Sequence, residues 1–459
     1  MRGALPARCA ALRAYPAIQG EAAMTRHVII GMGVAGVAAA EAIRHTDRSA
    51  EIIIVSEDPH GFYSRPGLAY YLTGELPEKQ LYIYSKKDWK RLNIRFVNDR
   101  VTRLTPRERR IEFARAGALS YDRLLLATGA RAVPLEVPGA NLQGVVTLDD
   151  FENARQILRL ARRGRTAVVV GGGVLALEMV EGLRSRGVQV HYFLRGDRYW
   201  PNVLDEVESR LVERKLVHEE VHIHPRAEIA AILERRGKVI GVQTTNGKQL
   251  RCDLVAVGIG VKPRIELARG AGIDVDRGIP VNENMQTSFP HVYAAGDVAF
   301  VNNPQTGQRV LNLLWFPARF QGHVAGSNMA GNHAVYRQGL AFNVLRLGGM
   351  MTSIIGAVGS GGRDEDPVNM TRGSSETWLQ LPNTLAVASN EDVNHVRLLV
   401  GERSLLGAVV MGDQTLSVPL QDLISKQMEI KSIRDHLLKP GAAIGNLIME
   451  FWYEANAGK

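Results

Sequence analysis

Cysteine is almost absent: the chain has two, Cys9 and Cys252, far apart in sequence. This scarcity excludes a secreted disulfide framework, a Cys-x-x-Cys redox pair and an iron–sulfur cluster held by this chain alone. A reducing cytoplasm is the expected compartment, and no metal site is expected. Long apolar runs are missing as well. The longest, Thr166 to Leu177, is broken by three consecutive glycines and followed at once by Glu178. A membrane-spanning helix needs roughly 20 apolar residues, so no transmembrane segment is expected. No Lys/Arg run with interleaved aromatics occurs, which leaves nucleic acid unsupported as a partner.

What is present is glycine, 46 residues of it, in a chain of 459 residues that is long enough for two to four domains. The apolar and charged fractions, 45% and 22%, are those of a globular protein. A net charge of +9 fits either acidic partners, such as small electron carriers or anionic lipid, or an ordinary basic surface. Residues 1–23 carry Arg2, Arg8 and Arg13 with no acid before Glu21. They read as a transit-like extension or, preferably, as a mis-assigned start ahead of Met24.

A strand–glycine turn–helix–strand pattern occurs twice. The first copy runs through His27–Ile30, a helix from Val37 to Arg44 and Glu51–Val55; the second through Arg165–Val170, a helix from Val174 to Arg186 and Val188–Phe193. Each is a βαβ unit of about 30 residues. Further strands are expected at Tyr121–Ala127, Leu254–Val257 and His291–Ala295, with Arg131–Gly139 as a linker. Beyond Leu340 the pattern changes to a hairpin, Val396–Val400 and Leu405–Met411, then a helix over Pro419–Gln427. Gly356–Gly373, rich in Gly, Ser and charge, reads as a mobile loop.

Gly31-x-Gly33-x-x-Gly36 follows the first strand and opens a helix. That spacing allows a tight turn, backbone approach to a diphosphate, and close helix–strand packing, with the helix N-terminus facing the anion. Glu57 stands about 20 positions beyond Gly36, where a carboxylate accepts from ribose hydroxyls. Gly171-x-Gly173-x-x-Ala176 repeats the logic. Glu178 either reaches toward the nucleotide or is an ordinary helix-surface carboxylate. After the second strand of this copy, Leu194-Arg195 replaces the acid of an NAD-selective site. An arginine there, with Arg198 nearby, pairs with a 2′-phosphate and favours NADPH over NADH.

These motifs, with those between them, resemble the FAD-dependent pyridine nucleotide oxidoreductases, flavoproteins with two dinucleotide-binding domains, from roughly Arg26 to Met329. The rubredoxin and ferredoxin reductases and the flavin module of NAD(P)H-dependent nitrite reductases look similar. The match rests on Tyr121–Gly129 ending in Thr128-Gly129, on Gly258-Ile259-Gly260-Val261-Lys262-Pro263, and above all on Thr287–Asp297. The resemblance implies that Asp297 holds the ribityl chain of FAD and that Tyr63-Ser64-Arg65-Pro66 runs along the flavin. Arg65 then faces the phosphates or ring, or else makes a structural salt bridge. Trp315 stands beside the isoalloxazine, or is core packing. The FAD residues are thus Gly31, Gly33, Gly36, Glu57, Arg65, Thr128, Gly129, Asp297 and Trp315. The NAD(P) residues are Gly171, Gly173, Ala176, Glu178, Arg195 and Gly258.

The implied fold is α/β: two Rossmann-like domains, the FAD domain discontinuous (24–139 and 262–340), an NAD(P) domain (140–261) and a C-terminal α+β domain (341–459). Such domains often form homodimers. Two departures matter. No cysteine stands near Arg65-Pro66-Gly67, which excludes a flavin-adjacent thiol. Tyr70 stands where ferredoxin reductases carry a lysine, so the group tuning flavin N5, and any catalytic residue, is left unassigned. The expected function is NAD(P)H oxidation through FAD to an external acceptor, first an electron-carrier protein. The alternatives are a quinone, given the apolar tail Ala442–Tyr453, and a non-catalytic flavoprotein subunit. Docking of that tail on the third domain is the competing reading.

Overall fold

The computed structural model describes residues 24–304, 306–359, 370, 372–379, 385–391 and 394–457. Cys9, the 1–23 segment and the centre of the expected mobile loop lie outside them. The first unit comprises β1 (Arg26–Ile30), α1 (Val34–Thr46), β2 (Glu51–Ser56), β3 (Ile94–Asn98) and β4 (Arg123–Leu126). β1 pairs in parallel with β2 and β4, and β2 with β3. Parallel strands covered on both faces are near-continuously apolar. Here Ile29, Ile53, Ile54, Leu124 and Leu125 are all buried.

The second unit repeats it with β5 (Thr166–Val170), α2 (Val174–Arg184), β6 (Gln189–Leu194), α3 (Glu206–His218), β7 (His222–Pro225) and β8 (Leu254–Val257). Its parallel sheet has the order β7-β6-β5-β8, closed by the short strand Val145–Val146. The chain then returns to the first sheet as β9 (Val292–Ala294), beside β4, giving the order β9-β4-β1-β2-β3. The first sheet is therefore assembled from segments on either side of the second. The stretch expected as a plain linker begins inside a strand: Ala130–Ala132 pairs antiparallel with Val261–Pro263 where the chain crosses out and back.

α4 (Trp315–Met329) lies against α1 at very short range. A Cβ on Gly322 would stand 2.1 Å from the Ala35 carbonyl oxygen, and one on Gly326 2.3 Å from that of Ala39. Alanine facing glycine is what lets the two backbones meet.

The third domain is an antiparallel sheet of β10 (Phe342–Leu347), β11 (Met350–Gly356), β12 (Leu385–Glu391), β13 (Asn394–Val400) and β14 (Leu405–Met411), ordered β10-β11-β14-β13-β12. One face packs on α5 (Ser417–Ser425) and α6 (Ile444–Asn456), through Leu420, Leu423, Ile444 and Ile448. The apolar tail is thus a docked helix: Ile444 and Ile448 are buried and Trp452 Nε1 donates to Asp422 at 3.0 Å. Among the described residues no helix is long and apolar enough to cross a membrane.

The other face of that sheet shares one core with the second unit, where Ile354, Val409 and Trp378 meet Trp200, Val212 and Leu216. At this seam Arg397 donates to both oxygens of Glu208, at 2.8 and 3.0 Å, and to the Val203 and Val358 carbonyls. His395 Nε2 lies 3.1 Å from Glu208. Burial pushes the Glu208 carboxyl up, but His395 and Arg397 hold it below its usual value. Asp205, Glu208 and His395 have ligand atoms within 4.8 Å of one another. With a guanidinium seated on Glu208 they form an ion-pair network rather than a metal site.

Candidate functional site

The two glycine turns use their glycines differently. Gly31 has φ +113°, and a Cβ there would stand 2.1 Å from the Ala127 carbonyl oxygen. Gly171 repeats this, with φ +138° and 2.2 Å to the Gly258 oxygen. Only glycine tolerates such a turn. Gly36 is a packing residue, its Cβ falling 2.2 Å from the Gly31 oxygen, and Gly258 packs against Ala176 at 2.9 Å. Gly33 differs: a Cβ there would meet nothing within 4 Å. Gly33 and Gly173 are the N-caps of α1 and α2; neither cap makes a side-chain hydrogen bond, and neither first turn is acidic. Each helix start therefore offers backbone N–H groups and partial positive charge to an anion.

A cleft of about 1000 Å³ connects the first turn to the second unit. It is lined by Gly31, Gly33, Glu57, Arg65, Thr128, Gly129, Asp297 and Trp315, by Val174, Leu175 and Glu178 of α2, and by Asn343–Arg346 of the third domain. Of the residues assigned to FAD, all but Gly36 line it. Of those assigned to NAD(P), only Glu178 does. Gly171 and Gly173 form the turn that opens α2, Ala176 stands in its first turn against Gly258, and Arg195 is exposed just past β6. Trp315 is half-buried and stacks on Phe62 at 6.2 Å, so it both packs and lines the cleft. Thr128 Oγ1 donates to the Arg264 carbonyl at 3.0 Å, tying the crossover strand to the returning chain.

Asp149, which sequence reasoning missed, organises the charge. Arg65 Nη1 donates to its carbonyl at 2.7 Å, Arg264 Nη2 lies 3.2 Å from Oδ2, and Arg372 Nη2 donates to Oδ1 at 2.6 Å. Burial would raise the Asp149 carboxyl, yet Arg372, Arg264 and Arg65 hold it below the usual range. Arg264 also lies 3.6 Å from Glu57. Two guanidinium groups on the Asp149 carboxylate and a third on its carbonyl bring Arg65, Arg264 and Arg372 together in the lining of the cleft, an arrangement that suits a diphosphate. Asp297 is raised by burial, with Arg372 and Arg65 pulling the other way. The expected mobile loop needs correction at its ends: Val358 is buried, and Arg372 and Gly373 line the cleft.

Glu178 is not an ordinary surface carboxylate. Burial and then Glu181, one turn on, push it up to about 8, and burial likewise raises Glu181 to about 7 despite Arg346. Arg346 of β10 stands 3.9 Å from Glu181, 2.8 Å from Glu75 and 5.3 Å from the Tyr70 ring centre. The third domain thus brings a cation to the position where Tyr70 replaces a lysine. Both glutamates hold protons in the folded chain that the unfolded chain, titrating near 4.5, releases. Stability from these groups is therefore fully present below that value and is lost as pH rises toward 8. The apoprotein is expected to melt at progressively lower temperature between about pH 5 and pH 8, and Glu178→Gln to flatten that slope. An unchanged slope in the variant would refute this assignment.

Cys252 is buried and its thiol is pushed up to about 12, mainly by burial, as suits a small apolar residue. Among the described residues no cysteine lines the cleft.

Comparisons with known proteins agree with this geometry. The family model described as pyridine nucleotide-disulphide oxidoreductase matches residues 25–315. The chain is 34% identical over 305 residues to the ferredoxin–NAD(+) reductase component of a biphenyl dioxygenase system from Paraburkholderia xenovorans, covering 66% of this chain and 74% of that protein. It is 28% identical over 419 residues to the assimilatory nitrate reductase electron transfer subunit of Bacillus subtilis, covering 90% of this chain and 51% of that one. The chain thus spans about half the length of that subunit. In fold it is similar to putidaredoxin reductase, crystallised in covalent complex with putidaredoxin, with a TM-score of 0.81 and 23% identity over 93% of this chain and 98% of the other. From the matched span and the paired glycine turns, this chain belongs to the pyridine nucleotide-disulphide oxidoreductase family.

Proposed function

We propose that the chain is an FAD-dependent NAD(P)H oxidoreductase that passes electrons to a one-electron carrier protein without a redox-active disulfide. The observation that carries this reading is one continuous cleft reaching from the Gly33 turn to the first turn of α2, with no cysteine in its lining among the described residues. The flavin, when bound, supplies the two-electron to one-electron conversion. Gly33, the start of α1 and the arginines on Asp149 hold its diphosphate; Asp297 orients its sugar chain. Val174, Leu175 and Glu178 receive the nicotinamide end of the second nucleotide. NAD(P)H gives up two electrons and one proton; two carriers take one electron each and the proton leaves. Glu178 and Glu181, titrating near neutrality, are placed to hold that proton at a carboxyl oxygen.

The names of the relatives support a protein acceptor, among them the ferredoxin–NAD(+) reductase component and the nitrate reductase electron transfer subunit. Docking of α6 on its own domain removes the observation that favoured a membrane quinone. Anaerobic mixing with NADPH should bleach the flavin absorption band within seconds, and a ferredoxin should restore it stoichiometrically. No bleaching would favour a non-catalytic subunit, and recovery only with a quinone would displace the carrier protein.

NADPH is the favoured donor, because Arg195 follows β6 in place of an acid. Loss of a charge-assisted phosphate contact costs about 1.5–3 kcal/mol, about tenfold or more. Arg195→Ala should raise the KM for NADPH by at least about tenfold while leaving that for NADH within about twofold. Equal shifts for the two nucleotides would remove the preference.

A further inference from the structure

β6 and β7 end side by side at the carboxyl edge of the second parallel sheet, the edge at which open α/β sheets bind their ligands. Leu194 pairs in register with Pro225, and the contact continues past both strands. The Ala227 N–H donates to the Leu194 carbonyl at 3.0 Å, and the Arg226 N–H donates to the Gly196 carbonyl at 2.9 Å. These bonds fix the Arg226 backbone against the Arg195-Gly196 turn, although the two arginines are far apart in sequence. The same segment is tied on its other side to the glycine motif. The Trp200 N–H donates to the Gly172 carbonyl at 3.1 Å, and a Cβ on Gly172 would meet nothing within 4 Å. Open glycine backbone, the Arg195–Arg198 segment and Arg226 therefore follow one another along one sheet edge. Two guanidinium groups on it have donors to spare. Arg226 is exposed and, among the described residues, its side chain makes no hydrogen bond or ion pair. Arg198 is 24% exposed, its Nε is buried without an acceptor, and its Nη1 reaches the adjacent Asp197 at 3.4 Å. The two segments also carry Asp197 and Glu228, so the charge of the edge is mixed, and recognition here depends on where the guanidinium forks stand.

We propose that Arg226 is a second specificity-determining residue for the 2′-phosphate of NADPH, reaching it from the end of β7 while Arg195 reaches it from the end of β6. The inference rests on the NADPH reading given above and adds to it a residue outside the segment that follows β6. A phosphate monoester presents three strong acceptor oxygens, more than one guanidinium fork can satisfy. Two forks carried on adjacent strands take the group from two sides. A free 2′-hydroxyl offers neither the charge nor the acceptors, so the same pair gains little from NADH. The Arg226 backbone is already held by its bond to Gly196, and its side chain has no partner to give up, so binding breaks no existing contact there. Sequence spacing does not reveal this residue, because its nearness to Arg195 comes from strand pairing rather than from a loop.

The test is calorimetric titration of the full-length protein with adenosine 2′,5′-bisphosphate and with adenosine 5′-monophosphate, which differ only in the 2′-phosphate. The wild-type chain is expected to bind the bisphosphate at least about tenfold more tightly, the worth of a charge-assisted phosphate contact. Arg226→Ala should weaken bisphosphate binding by at least about tenfold and leave the monophosphate within about twofold. Arg226→Lys keeps the charge without the fork and should fall between. Arg236→Ala controls for long-range charge. Arg236 has the same left-handed backbone, φ 55° against 52°, but stands on the hairpin that bridges to Gln143, beside the far edge of the sheet. Its loss should change neither affinity. Unchanged bisphosphate binding in Arg226→Ala, or an equal loss for both ligands, overturns the proposal; a selective loss in Arg195→Ala would then leave the NADPH reading standing. A wild-type chain that binds the two ligands equally overturns that reading and the inference with it.

Discussion

Replacing Gly33 with valine is expected to give a folded protein that is purified colourless. The backbone there has φ −82°, ordinary for any residue, and a Cβ meets no atom within 4 Å. The apoprotein therefore has no reason to resist the change. The space a side chain would fill is the space through which a diphosphate reaches the N–H groups of α1. Two charge-assisted hydrogen bonds lost there cost about 3–6 kcal/mol, so FAD affinity should fall at least about a hundredfold. Gly31→Ala supplies the contrast. With φ +113° and a carbonyl oxygen 2.1 Å from the new methyl, it should lower the melting temperature of the apoprotein itself. The ratio of flavin to protein absorbance and the apoprotein melting curve separate the two effects. A stoichiometrically yellow Gly33→Val protein would refute the role given to this turn.

Glu208→Ala is expected to destabilise the chain by about 3–5 kcal/mol, the cost of taking from a buried cation its bidentate partner and leaving it only Asp205 at 3.6 Å. Arg397 has both oxygens of Glu208, and its other donors go to the Val203 and Val358 carbonyls, so it cannot turn to solvent. Glu208→Gln keeps the shape and one acceptor and should cost less. Because the ion pairs join α3 to β13, the loss should show as earlier release of the third domain in denaturant. Unfolding at the wild-type midpoint would mean that solvent reaches Arg397.

What could be read from the chain alone was what sequence spacing encodes. Gly31, Gly33 and Gly36 stand within one turn and one helix start, and their separation states the geometry. The same holds for Gly171 to Ala176. The charge at the centre of the cleft was illegible because it is assembled from distant segments: Arg372 meets Asp149 across 223 positions. Nothing near Asp149 distinguishes it from Asp150, which simply caps the following helix. Arg372 sits in a stretch whose Gly and Ser content reads as a loop, and only its contacts show otherwise. Arg346 was invisible for the same reason, since its partners Glu75 and Glu181 lie in the other two domains. The tail was ambiguous because an apolar helix face fits a lipid surface and a protein core equally well; the buried Ile444 and Ile448 decide it.

The interrupted first sheet has a consequence for biosynthesis. A nascent chain emerging from the ribosome cannot lay β9 beside β4 until some 290 residues have been made, nor cover α1 with α4 until about 330. The inserted βαβ unit has its strands consecutive and can close on itself in the meantime. The half-built neighbour waits, its inner edge and the alanine face of its first helix open to the cell, so the segment that must arrive last is the one that decides whether early sticking or completion wins.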